Sequence, residues 1–539
     1  MVKTIRIPAA CLIAATTLHG LACSSSESGP PAQPSPVSDA GSDADASVPI
    51  TWGECKSGYV SECAAIPMPL DHAKPDGETI DFYVARYPAA TQPAKRQLWL
   101  LPGGPGQAGW VFGKSAAALA AMMPDTDLYM PDHRGTGYSH RLTCPAQDQE
   151  GTYGGLNLDP TQVGPCLDAL KKKGDFEKLP YFTATQAAAD TLAAIAKTRA
   201  PGQKVYVWGV SYGTHLAHRM VQMQPNNVID GAVFDGFLTP NQWAASDYDK
   251  GAEEAGAAFA AECDADASCS QHFLGTTGTP GASMAKIRAV LDKLKTTKCI
   301  PFDRTQARLF ISVLLDPWPL RALIFPMLHR LERCTLEDRT ALKFMVGAYN
   351  GLASSGPPFV NSGVLQHNIT LWELWQRPGS TLPTKAEFQA AADGQVFLQG
   401  ESLAVNMYDL HALWPAPPDD YSKFPTPVTT TTKIVWLAGS FDLHAAPSQA
   451  ALLPALYPQA TYVMVKGASH TPSNQAPLAS DLKKHCGQEI INAFVNGDGA
   501  IDTSCTSNLA KPWLEAQTGA FAKKYWNSDD DWGDGTPKP

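Results

Sequence analysis

Positive charge is in deficit in this 539-residue chain, where 42 Lys and Arg stand against 52 Asp and Glu for a net charge of −10. Such a balance argues against a nucleic-acid partner, because phosphate backbones select basic surfaces. Cysteine and histidine do not occur together at zinc-binding spacings, and nothing in the pattern calls for a metal or an organic cofactor. The glycine-rich stretch "LLPGGPGQAGW" is not a dinucleotide fingerprint. Pro105 breaks the G-x-G-x-x-G order, and no helix opens there as that motif requires. No internal repeat is evident. The apolar run "IPAACLIAATTLHGLAC" near the start is too short to remain as a membrane-spanning helix.

What is present begins with that run. Preceded by Lys3 and Arg6, it reads as an export signal over residues 1–22. The Ser/Pro/Asp-rich stretch behind Cys23 suits a disordered tether over 23–50. The segment resembles a bacterial lipoprotein signal, which implies a lipid on Cys23 and membrane attachment through that lipid alone. It departs from the usual spacing at Leu21, two residues before the cysteine instead of three. Ordinary cleavage near Ala22 is the alternative, and either route predicts an exported protein. Ten further cysteines remain besides Cys11: Cys55, Cys63, Cys144, Cys166, Cys263, Cys269, Cys299, Cys334, Cys486 and Cys505. An even number in an exported chain predicts disulfides, with neighbour-to-neighbour pairing the simplest arrangement.

Hydrophobic residues make up 44% of the chain, ample for a large core, and the length suggests about two or three domains. Short apolar runs without alternation suit parallel strands covered on both faces: "IDFYVARY", "QLWLLPGG", "DLYMPDHRG", "KVYVWGVS", "GAVFDGF", then "KIVWLAGS" and "TYVMVKG". Helical stretches lie between some of them, which implies an α/β sheet. From about Asn241 to Pro425 the pattern is helical instead. The expected organisation is a sheet core over 51–240, a helical cap over 241–425, the rest of the core over 426–510, and an extension over 511–539 with a loose acidic tail. No signal for an oligomeric state is legible.

Chemistry concentrates in a few places. "Gly209-Val210-Ser211-Tyr212-Gly213" lies between the strand "KVYVW" and the helix "THLAHRM", the context of a G-x-S-x-G nucleophile elbow. Reversal of a strand into a helix crowds the serine, so small residues must flank it. A serine hydroxyl needs a base and an acid to orient that base, in the chain order Ser, Asp, His. Asp442 in "AGSFDLHAAP" and His470 in "GASHTP" follow successive strands in that order. The rival bases fit less well: His133 is in an early loop, His215 is on the helix beyond the serine, and His444 adjoins the acid. An oxyanion hole requires two donors. The Tyr212 N–H is one, and Gly104, with Gly103 next, is the candidate for the other.

In this order, "GGPGQAG", "PDHRGTGYS", "WGVSYGT", "VFDGF", "AGSFDLHAAP" and "GASHTP" resemble the tripeptidyl- and prolyl-aminopeptidase branch of the α/β-hydrolases. The cysteine-flanked "HCGQEIINAFVNGDGAIDTSC" is similar to that group's C-terminal segment, so the likeness runs from about Trp52 to Cys505. It implies an α/β-hydrolase fold with a helical cap and an exopeptidase acting on peptide substrates. It assigns Ser211 as nucleophile, Asp442 as orienting acid and His470 as base then acid. His133 stands where the family's more usual motif has Gln. The family also implies a cap carboxylate for the substrate ammonium, for which Glu373 in "HNITLWELW" is the candidate, although the cysteine usual before it is absent. An esterase would use the same triad under an apolar cap. A catalytically idle binding protein would need a lost triad member, and none is lost.

Overall fold

The computed structural model describes residues 50–534 except 57–58, 60, 300–301, 353–357, 399–401, 416–429, 512–513 and 515–518. The leader, Cys23 and nearly all of the tether lie outside the described residues. Nine strands form the main sheet: β1 (Gly53–Glu54), β2 (Glu62–Pro69), β3 (Thr79–Tyr87), β4 (Arg96–Leu101), β5 (Thr126–Pro131), β6 (Lys204–Val210), β7 (Gly231–Asp235), β8 (Lys433–Gly439) and β9 (Thr461–Val465). Their spatial order is β1-β2-β3-β5-β4-β6-β7-β8-β9. Pairing is antiparallel from β1 to β5 and parallel from β5 through β9. With helices on both faces, this is the α/β-hydrolase fold.

Side chains of the parallel strands alternate between two cores, as the two-residue repeat of a strand requires. Trp99, Leu101, Val205, Val207, Phe234 and Trp436 point to one face. There they meet helices α2 (Ala184–Thr198) and α3 (Tyr212–Met223). Leu98, Leu100, Tyr206, Trp208, Val435 and Leu437 point to the other. They meet α1 (Gly113–Met122) and α8 (Cys486–Asn496). Each such buried side chain contributes about 1.5–3 kcal/mol.

Two strands differ from expectation. β3 is antiparallel to both neighbours, although its sequence lacks clean alternation. β2 was hidden by Pro67 and Pro69. Prolines fit there because β1 covers only Glu62 and Cys63, leaving the rest of that side of β2 without a ladder to break.

Among the described residues between β7 and β8, the regular elements are helical, apart from a bridge between Cys299 and Phe302. They include α4 (Tyr248–Ala265), α5 (Arg304–Leu315), α6 (Ile324–Arg333) and α7 (Gly363–Trp372). This cap has its own core, in which Phe259 stacks on Phe325 at 4.9 Å between ring centres. The disulfides are sequence neighbours throughout: Cys55–Cys63, Cys144–Cys166, Cys263–Cys269, Cys299–Cys334 and Cys486–Cys505.

The acidic tail is not loose over its described part. Helix α9 (Ala520–Trp526) and the residues up to Asp534 lie on the cap, with Trp526 and Trp532 buried. The Arg330 guanidinium, fully buried, donates to the carbonyls of Asp531 (2.8 Å) and Asp530 (3.2 Å). Arg333 donates to the Trp532 carbonyl and pairs with Asp534. Composition suggested disorder, but two tryptophans and two arginine partners outweigh the charge.

Candidate active site

Ser211 sits between β6 and α3 with φ 55° and ψ −123°, a conformation that costs a non-glycine residue about 1–3 kcal/mol. Its surroundings hold it there. The Ser211 N–H donates to the Asp235 carbonyl at 2.9 Å, and its own carbonyl accepts from the Thr214 N–H and hydroxyl. The flanking glycines are obligatory for a physical reason: a Cβ on Gly213 would stand 2.1 Å from the Leu101 carbonyl oxygen, and one on Gly209 would stand 2.3 Å from the Gly213 oxygen.

Asp442 and His470 follow β8 and β9, so both reach the sheet rim that carries Ser211. His470 Nδ1 lies 2.9 Å from both carboxylate oxygens of Asp442. Oδ1 of Asp442 also accepts from the N–H groups of His444 and Ala445 at 2.8 Å. Such bonding places the ring proton on Nδ1 and leaves Nε2 as the lone-pair nitrogen. His470 is fully buried, and its Nε2 has no hydrogen-bond partner among the described residues. Burial opposes a charge on this ring, yet Asp442, with Asp316 and Asp235 behind it, raises its proton affinity above that of an ordinary histidine.

No hydrogen bond joins the Ser211 hydroxyl to His470 in this structure. The two are linked through the end of β7. The Asp235 carbonyl takes the Ser211 N–H, and the next residue, Gly236, lies against the imidazole, where a Cβ would be 2.9 Å from Cε1. Hydrogen bonds of this kind commonly tighten only when substrate is bound.

The loop after β4 closes over the serine. A Cβ on Gly103 would be 2.9 Å from Ser211 Cβ, so Gly103 packs directly on it. Gly104, at φ 114°, turns the chain away toward Gly106 and Gln107. Among the described residues, neither the Gly103 nor the Gly104 N–H has an acceptor, and the Tyr212 N–H, first in α3, is likewise unmatched. Unmatched donors at a helix start are suited to an anion. The loop is braced from the cap, where the Ser362 N–H donates to the Gly106 carbonyl at 2.8 Å and Asn361 Oδ1 accepts from Ala108 N–H.

Glu373 requires a correction. Its Oε1 accepts from the Ala184 N–H (2.8 Å) at the start of α2, and its Oε2 lies 3.2 Å from His215 Nε2. The carboxylate is mostly buried between these partners and helps to cap a helix, so in this structure it is engaged with Ala184 and His215. Burial depresses His133 to about 4 and His215 to about 3, so both stay neutral, packed around Tyr212.

Two further residues adjoin the site: His444, set aside above as a rival base, and Asp316, which the sequence reading did not name. The ring of His444 lies 4.5 Å from that of His470, centre to centre. Asp316, at the end of α5, brings its Oδ1 to 3.8 Å from His444 Nε2, and neither atom has a hydrogen-bond partner among the described residues. The one sequence signal for Asp316 was an aspartate lodged between an apolar helix and "PWP". Its place beside His470 depends on a fold across more than 150 residues of chain.

Residues 98–256 match the alpha/beta hydrolase fold family. A tripeptidyl aminopeptidase of Streptomyces coelicolor is 27% identical over 214 residues, covering 36% of this chain and 39% of that protein. The serine protease Hip1 of Mycobacterium tuberculosis is 27% identical over 251 residues, covering 41% of this chain and 46% of that protein. The matched span is thus under half the length of these curated relatives, and shorter than the Trp52–Cys505 likeness expected from motifs. An esterase of Exiguobacterium antarcticum, at 10% identity and a TM-score of 0.31, covers 73% of this chain and 89% of its own.

Proposed function

We propose that this chain is a serine peptidase of the α/β-hydrolase superfamily that releases short peptides or single residues from peptide N-termini. The observation that carries the reading is the bare Nε2 of His470, backed by Asp442 on Nδ1, at the rim that holds the strained Ser211. In this reading the Ser211 hydroxyl attacks the scissile carbonyl while His470 Nε2 takes its proton. The oxyanion is held by N–H groups of Tyr212 and of Gly103 or Gly104. His470 then gives the proton to the leaving amine, and water resolves the acyl-enzyme through the same groups.

The peptidase names of the relatives support this choice over an ester substrate, as does a carboxylate in the cap. Asp316, not Glu373, is the residue we assign to the substrate ammonium. It is mostly buried, its Oδ1 accepts no hydrogen bond among the described residues and lies 3.8 Å from His444 Nε2, and its carbonyl accepts from the Ser469 hydroxyl next to His470. A buried ammonium–carboxylate pair of this kind commonly accounts for about 2–3 kcal/mol, roughly 30- to 150-fold.

The test uses the full chain with p-nitroanilide peptides of one to three residues, free and N-acetylated, beside p-nitrophenyl esters and a Ser211→Ala control. Free-amine peptides should be cleaved best, and Asp316→Asn should raise their KM while leaving ester turnover near normal. Turnover of esters alone would replace the peptidase reading with an esterase. Five disulfides suit an oxidising compartment, and we propose export with a lipid on Cys23. A diacylglyceryl mass on the N-terminal peptide is the expected result, and an unmodified N-terminus would discard the anchor.

A further inference from the structure

The acid loop after β8 is held from the base loop, where the Ser440 and Phe441 N–H groups donate to the Val465 and Ala468 carbonyls, and from the cap. Phe441 and Leu443, on either side of Asp442, are buried in the cap's own hydrophobic core, with Phe441 edge-on to Phe259. The next residue, His444, is held at two points. Trp243 Nε1 donates to its carbonyl at 2.6 Å, and the Tyr248 hydroxyl, in the first turn of α4, bonds to its Nδ1. From there His444 reaches both members of the Asp442–His470 pair: its N–H donates to Asp442 Oδ1, and its ring lies on the His470 ring. The base loop has a grip of its own, since Arg321 donates to the carbonyls of Leu315 and Asp316 in the cap and of Gly467 ahead of His470.

We propose that His444 is a positioning residue through which the seating of the cap sets the alignment of Asp442 with His470. The proposal rests on the serine-nucleophile part of the function above and does not require a peptide substrate. Tyr248 and Trp243 belong to the cap side of the molecule and Asp442 to the sheet, with His444 as the joint between them. A small tilt of α4 moves the imidazole, and with it the N–H that fixes the carboxylate. The titratable groups facing the tilted His444–His470 ring pair are Asp442 and Asp235 from the sheet and Asp316 and Tyr248 from the cap. Burial keeps the Tyr248 phenol protonated, its proton affinity well above that of an ordinary tyrosine, so the hydroxyl persists as a hydrogen-bonding group at neutral pH.

Tyr248→Phe removes one oxygen and leaves the packing, while His444→Gln removes the ring. In both, the rate at which a fluorophosphonate labels Ser211 is followed from about pH 5 to pH 9, beside the thermal midpoint. Misalignment should slow labelling roughly tenfold or more at the plateau. It should also move the acid limb to lower pH, because His470 loses part of the carboxylate contact that raises its proton affinity. A purely structural role would lower the thermal midpoint and scale the rate evenly across pH. Wild-type rates with a wild-type acid limb, or a loss that is uniform in pH and matches the unfolded fraction, overturn the proposal. If His444→Gln does not fold, Tyr248→Phe decides the matter by the same criteria. A wild-type chain that labels but leaves peptides intact removes only the peptidase reading. One that takes no label removes the nucleophile, and this inference with it.

Discussion

The sheet and the cap bury comparable sets of apolar side chains by different rules. In the sheet, neighbours along one strand divide between two faces, so that Trp99 and Leu100, one residue apart, belong to separate cores. In the cap, one core collects residues from α4, α5 and α6, from the acid loop at Phe441 and Leu443, and from the tail at Trp526 and Trp532, while α7 packs in another with Leu142, Phe182 and Tyr212. The sheet is thus divided by strand alternation, although β7 and β8 come from either side of the cap insertion, while the cap gathers helices, a loop and the tail around a shared core. That difference places the chemistry. The sheet rim carries Ser211, Asp442 and His470, and the cap supplies contacts that brace them.

The most severe test addresses the sheet side. Ser211→Ala should abolish turnover by roughly 10⁶-fold with both cores intact, as seen by an unchanged thermal midpoint. Residual activity within a hundredfold of wild type would mean another nucleophile. Phe441→Ala sharpens the contrast where the two regions meet. It should cost about 3–5 kcal/mol of cap stability and depress kcat together with it, because the cavity opens beside Asp442.

Trp526→Ala removes a similar volume far along the chain from any catalytic loop, and should cost about 3–5 kcal/mol in the same core with kcat retained at low temperature. Calorimetry should then show the cap melting ahead of the sheet. A single shifted transition would end the picture of a cap that packs separately from the sheet. The smallest effect is electrostatic. Asp316 favours the charged imidazole of His470, so Asp316→Asn lowers that group's proton affinity. The base then stays neutral to lower pH, and the acid limb of kcat/KM should move down by a few tenths of a unit. An upward move contradicts the assigned geometry.

Legibility followed the same division. β4 through β9 were readable because a parallel strand covered on both faces is a short unbroken apolar run, and the Ser211, Asp442 and His470 positions follow from strand ends. β2 was not, because its prolines are permitted only by a missing neighbour on one side. Glu373 looked available on its helix, but Ala184 and His215 meet it from elsewhere in the chain. His444 was set aside for adjoining the acid, and that adjacency, with Tyr248 and Trp243 behind it, is what carries it onto His470. The tail was misjudged because composition records charge and not the two buried arginine contacts that receive it.

By itself the sequence determined the strand–turn–helix that presents Ser211 and the order in which Asp442 and His470 follow it, and it offered neighbour pairing of the cysteines only as the simplest arrangement, which the structure then decided. Only the tertiary structure decided that Asp316 and His444 stand beside His470 and that Glu373 serves as a helix cap. Contacts of that kind are set by how the cap comes to rest on the sheet, which no local pattern encodes.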